Sequence, residues 1–231
     1  MTKKNRALIK QSLDLCDSVS ESLFQYITDT YEESAAKEML AIIMQNTFFA
    51  KAPFLRIFIG KEARELDIYF TTQESSLRFL ELALLNTKPH AFVLNEKVLY
   101  VDVLLSDTLY RVNFNYDKYG TAEEILSLFT FSCEQHYYNR SVFKLNFDIG
   151  TFHKVFRTVE FRSEKLDLQY IYLMLATYSK MGLIPHTNSM VRLFSALFDG
   201  QVLKYPALRS ALYSWENGYG VMKTEKYLNI S

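Results

Sequence analysis

Basic and aromatic residues interleave at 152–165, FHKVFRTVEFRSEK, where Lys154, Arg157, Arg162 and Lys165 alternate with Phe152, Phe156 and Phe161. Ammonium and guanidinium groups bind phosphates and aromatic rings stack on bases, so this composition suits contact with a nucleic acid. The competing reading puts the phenylalanines on an inward helical stripe and the charges on its solvated back. A second basic set follows in Arg209, Ser210, Tyr213 and Ser214, with Lys204 before it and Lys223 and Lys226 beyond. On a helix these residues would offer contacts to bases and phosphates, as a recognition helix does in a major groove. The run from Leu166 to Trp215 holds three short amphipathic segments punctuated by Gly182 and Gly200, a pattern compatible with a helix-turn-helix unit. Against that stands the spacing: the seven residues from Asp199 to Tyr205 exceed the connection of about three or four usual in the motif.

Catalytic patterns are sparse. Cys133 and His136 are three residues apart, so on a helix they would share a face and supply two ligands to a metal, or a thiol and its base. Two ligands do not make a metal site, and the nucleophile reading lacks an orienting group. Asp14 with Asp17, and Glu123 with Glu124, fall on expected helix faces or first turns, where solvation and the helix dipole account for them. Glycine-rich phosphate loops, serine elbows, HExxH and paired CxxC ligands are all missing. No catalytic residue, metal or cofactor is therefore read from the sequence, and no motif in it identifies a family.

The elements that would position these groups follow from periodicity. Leu8, Leu15, Cys16, Val19, Leu23, Phe24 and Ile27 recur at helical spacing. Thr30 with Glu33 makes a capping-box pattern before Ala35, Met39, Ile42 and Ile43, giving a helical hairpin. After Pro53, Leu55, Ile57 and Ile59, then Leu66, Ile68 and Phe70, alternate at period two around Gly60, as a strand pair does. Thr71 and Glu74 open a further helix that ends before Pro89. Residues 91–94, 98–105 and 109–116 then read as an antiparallel meander with turns at Asn95-Glu96 and Ser106-Asp107. In its last run Tyr110, Val112, Phe114 and Tyr116 alternate with Arg111, Asn113 and Asn115, one face core and the other wet. Thr121 and Glu124 cap a short helix, and residues 142–149 read as another strand. From Phe152 the spacing of Val155, Phe156 and Val159 is helical, and three more helices follow.

Composition bounds the rest. Hydrophobic residues make up 49% of the chain and aromatic ones 15%, enough to bury a core, and only seven glycines and four prolines interrupt it. No apolar run reaches the length of about 18 residues that spans a bilayer. Two cysteines, and a basic start followed by Lys10, Asp14 and Asp17 where a signal peptide would be apolar, point to a reduced, cytoplasmic setting. Basic and acidic residues balance at 26 each, but residues 1–12, 13–152 and 153–231 carry net charges of +4, −8 and +4. The expectation is an α+β protein: residues 1–150 form a helical hairpin with a central antiparallel sheet and its packed helices, and 151–231 a helical C-terminal domain resembling a helix-turn-helix bundle. The function expected from it is non-enzymatic regulation through DNA bound by Lys204, Arg209, Ser210, Tyr213, Lys154 and Arg157. The alternative is an accessory factor that binds a protein partner through its aromatic surface, for which the sixteen tyrosines and the stretch His136-Tyr137-Tyr138-Asn139-Arg140 are suited.

Overall fold

The computed structural model describes residues 3–54, 64–85, 92–95, 98–129, 131, 134–145, 158–159, 184–186, 189–192 and 195. The chain divides into two compact units: Met1–Phe129 with Cys133–Phe147, and Thr130–Ser132 with Asp148–Ser231. No helix among the described residues is long and apolar enough to cross a membrane.

The first unit opens with α1, Lys3–Thr30, and α2, Glu33–Asn46. Leu15, Cys16, Val19, Leu23 and Ile27 form the buried stripe of α1, and Ala36, Met39, Ile42 and Ile43 that of α2, as the helical spacing requires. α2 runs directly into β1, Thr47–Ala50, all four residues of which are buried. A short 3-10 turn, Ala52–Phe54, follows. Then come β2, Glu65–Phe70, and α3, Gln73–Leu84. β3, Val93–Leu94, β4, Leu99–Leu105, and β5, Thr108–Tyr119, form the meander. The β4–β5 turn places Ser106 and Asp107 at φ 46° and 65°, the doubly left-handed geometry that matches the twist of a tight hairpin. α4, Ala122–Ser127, β6, His136–Tyr138, and β7, Phe143–Leu145, complete the unit.

These strands make one seven-stranded sheet in the order β3-β4-β5-β2-β1-β6-β7. Its centre corrects the expected antiparallel sheet: β2 and β5 run parallel, while every other described pairing in it is antiparallel. A parallel neighbour needs a crossover, and here α3 and the β3–β4 hairpin supply it. One sheet face is the core. Leu66, Ile68 and Phe70 of β2 and Val112 and Phe114 of β5 are fully buried there. Phe79 of α3 stacks on Phe114 at 4.6 Å between ring centres, and Phe92 meets the same ring at 5.6 Å. α1 packs on β4 and α3 on β5.

Several local expectations change in detail. Residues 30–33 hold no capping box: the N-cap of α2 is Glu32, which makes no side-chain cap. The cap of α3 is Thr72 rather than Thr71, its hydroxyl accepting from the Ser75 N–H at 3.2 Å. The box at Thr121 and Glu124 is present as read, with both reciprocal hydrogen bonds. The strand expected around Leu55, Ile57, Ile59 and Gly60 lies outside the described residues.

In the second unit, Thr158–Val159 is a strand, β8, paired in parallel with β9, Ile184–Pro185. The helix expected to run from Phe152 through Val159 is thereby corrected, since the apolar spacing that suggested it ends in an extended residue. Ser189–Arg192 is helical, within the run where three more helices were expected. The rest of the expected C-terminal helical bundle, most of Leu166 to Trp215, falls outside the described residues, so the architecture rests on the mixed sheet and not on that bundle.

Candidate functional site

Strand alternation builds the site. In β2, Leu66, Ile68 and Phe70 point into the core, so Glu65, Asp67 and Tyr69 share the opposite face. Two carboxylates two residues apart thus lie on one surface. The parallel register places Arg111 beside Glu65, Asn113 beside Asp67 and Asn115 beside Tyr69. On the far side of β5, Tyr100 and Asp102 of β4 face Asn113 and Arg111. Glu65 and Arg111 are exposed, Asp67 and Asn113 half-buried, and Tyr69 and Asn115 buried, so the face deepens along its strands.

Its polar groups are held in place. Arg111 donates from Nε and Nη2 to the two carboxylate oxygens of Asp102 at 2.9 and 3.1 Å. Its guanidinium lies 4.3 Å above the Tyr100 ring centre, and the Asp102 hydrogen bonds hold it in the charged form. Asn113 donates to Asp67 Oδ1 at 3.1 Å. Across the other edge of β2, Ala50 is the register partner of Asp67, and the next residue, Lys51, lies 3.4 Å from the fully enclosed Glu134. Burial raises the Asp67 carboxyl above the usual range; Lys51 and the Asn113 hydrogen bond oppose this, while Glu65 and Glu134 add to it. Burial also pushes the Tyr69 hydroxyl far up, with Asp67, Glu134 and Asp117 contributing.

α4 covers the inner end of this face. Ile125, Leu126 and Phe129 pack with Phe48, Ala50 and Tyr69, and the Tyr69 and Phe129 rings meet at 5.5 Å. Gln135 donates to the carbonyls of Leu126 and Phe129 at 3.1 Å each, closing the helix end. A separate polar cluster behind the sheet is structural. Arg140 donates to the Ile43 carbonyl at 2.9 Å and caps α2, while the Tyr138 hydroxyl donates to Asp17 at 3.1 Å.

Lys154, Arg157, Lys204, Arg209, Ser210 and Tyr213 lie outside the described residues, as does Cys133. His136 sits in a strand rather than on a helix, fully buried, and burial pushes its pKa down to about 3. Among the described residues no group of three or more His, Cys, Asp or Glu could hold a metal ion by itself. Sequence reasoning missed Lys51, Glu65, Asp67, Asn113 and Glu134. The available signal was the pair of carboxylates interleaved with Leu66 and Ile68, set against the Asn113 and Arg111 alternation of β5.

This mixed sheet, with helices on one face and carboxylates on the other, is similar in fold to solved CCA-adding enzymes. A CCA-adding enzyme solved with CTP is similar to it at TM-score 0.53 and 12% identity, over 82% of this chain and 50% of that one. A CCA-adding enzyme with ATP matches at TM-score 0.53 and 13% identity, over 84% and 49%. The Thermotoga maritima CCA-adding enzyme complexed with tRNA matches at TM-score 0.51 and 15% identity, over 83% and 49%. The chain spans about half the length of these proteins. No protein-family model and no curated protein matches it.

The likeness runs against the expected non-enzymatic, DNA-binding helix-turn-helix regulator. The fold is one that tRNA-processing enzymes use. Glycine-punctuated amphipathic segments occur in any helical subdomain, which is why they misled.

Proposed function

We propose that this chain is an enzyme that binds a nucleoside triphosphate on the Glu65–Asp67 face and transfers its nucleotidyl group to a hydroxyl of an RNA. The observation that carries the reading is the placement of the exposed Glu65 and the half-buried Asp67 on one strand face, with Asn113 bonded to Asp67. Its fold supports the reading, since proteins with that fold have been solved with CTP, ATP and tRNA.

The chemistry is phosphoryl transfer. The acceptor oxygen bonds to the α-phosphorus, the bond from that phosphorus to the β-phosphate bridging oxygen breaks, pyrophosphate leaves and the hydroxyl proton is released. A hard divalent cation is commonly bound by one or two carboxylates together with substrate phosphates and water. Glu65 and Asp67 fit that donor chemistry, and they are the residues that would hold such an ion. When bound it would neutralise phosphate charge as a Lewis acid. Asn113 orients the Asp67 carboxylate, and the Asp102–Arg111–Tyr100 stack walls the face on the β4 side.

The test is incubation of the protein with each α-labelled nucleoside triphosphate, a divalent cation and RNA. Label should appear on the RNA, and Asp67→Asn or Glu65→Gln should lower the rate by about 1,000-fold, the several kcal/mol such a cation supplies. Absence of transfer with all four nucleotides, or full activity in Asp67→Asn, would overturn the reading.

A further inference from the structure

Lys51 follows β1 with φ 63°, in the left-handed region that a residue with a Cβ adopts only where its surroundings enforce it. Glycine takes this conformation without strain, so a lysine here ties the position to its side chain. The Lys51 ammonium lies 3.4 Å from Glu134 Oε1, and its side chain keeps 26% exposure while that of Glu134 keeps none. Lys51 also exerts the leading attractive charge on Asp67. A left-handed residue directly after the register partner of Asp67 therefore carries a partly exposed cation beside Glu134 and Asp67.

We propose that Lys51 is a phosphate-binding residue, the cationic contact for the polyphosphate of the nucleotide held at Glu65 and Asp67. This rests on the nucleotide reading above and deepens it. Lysine binds phosphate as a compact charge with three donors, so one ammonium can hold Glu134 and a phosphate oxygen together. Glu134 fixes the ammonium before the ligand arrives, which lowers the ordering needed on binding. Lys51 also offsets part of the negative charge of Asp67 and Glu134, which would otherwise repel a polyphosphate. The Glu134 contact together with the 26% exposure of the Lys51 side chain lets one ammonium serve both the ion pair and a ligand.

Lys51→Gly alone leaves Glu134 enclosed without its lysine, so the informative variant is Lys51→Gly with Glu134→Gln, which relieves the backbone and removes both partners of the ion pair together. Affinities for ATP and AMP, with magnesium present, are measured by competition against a fluorescent ATP analogue. The ratio of ATP to AMP affinity should fall about tenfold in the double variant and be kept in Lys51→Arg, because a charge-assisted contact to the outer phosphates is lost only in the first. A ratio unchanged in the double variant overturns the proposal, whether both affinities drop or both persist. Wild-type protein that binds neither ATP nor AMP removes the nucleotide reading itself.

Discussion

His136 shows how burial alone sets a residue's behaviour. The imidazole is fully enclosed in β6, and burial takes its pKa from the ordinary 6.5 to about 3. As pH falls from 6.5 toward 3, the unfolded chain takes up a proton that the folded chain does not hold. Stability from this group is thus complete above about pH 6.5 and is lost progressively below it, with a slope of up to about 1.4 kcal/mol per pH unit. Chemical denaturation at several pH values should give that slope for the wild type and a shallower one for His136→Leu; equal slopes would contradict it. In the sequence His136 stood out as a ligand partner of Cys133, because a histidine's neighbours three residues away are visible and its enclosure is not. Asp67 had the opposite fate. Its chemistry depends on Asn113 and Lys51, 46 and 16 positions away in the chain, and no local spacing joins them.

At the scale of elements, legibility followed local periodicity. α1 and the β4–β5 hairpin were readable because their apolar residues repeat at 3.6 and 2, and the turn at Ser106-Asp107 carries residues that tolerate positive φ. β1, TFFA, was not readable, because all four residues are buried and nothing alternates. The parallel β2–β5 pairing was equally hidden, since only the tertiary fold selects it. α4 was readable through its capping box, and it predicts a measurable effect. The Thr121 N–H donates to Glu124 at 2.8 Å, and the Glu124 N–H donates to the Thr121 hydroxyl at 3.3 Å. Gly120, at φ 147°, precedes them where an added Cβ would meet Glu124 Oε2 at 3.0 Å. Thr121→Ala should lower unfolding stability by about 1 kcal/mol. A change within a few tenths in a denaturant titration would show that packing on Phe48 and Tyr69 holds the helix without its cap.

Over the described sheet, the two faces divide the labour. Among the described residues, helices cover one face and make it the core, and α4 covers the inner end of the other, where Glu65 and Arg111 are exposed and Asp67, Asn113 and Asp102 half-buried. Composition suggested the acidic middle of the chain but not that its charges meet on a strand surface. The most direct measurement is a crystal structure of the protein with a non-hydrolysable nucleoside triphosphate and magnesium. The account predicts the phosphates against the Glu65 and Asp67 carboxylates of β2, with Lys51 beside the outer ones. A nucleotide bound elsewhere, with that face empty, would contradict it.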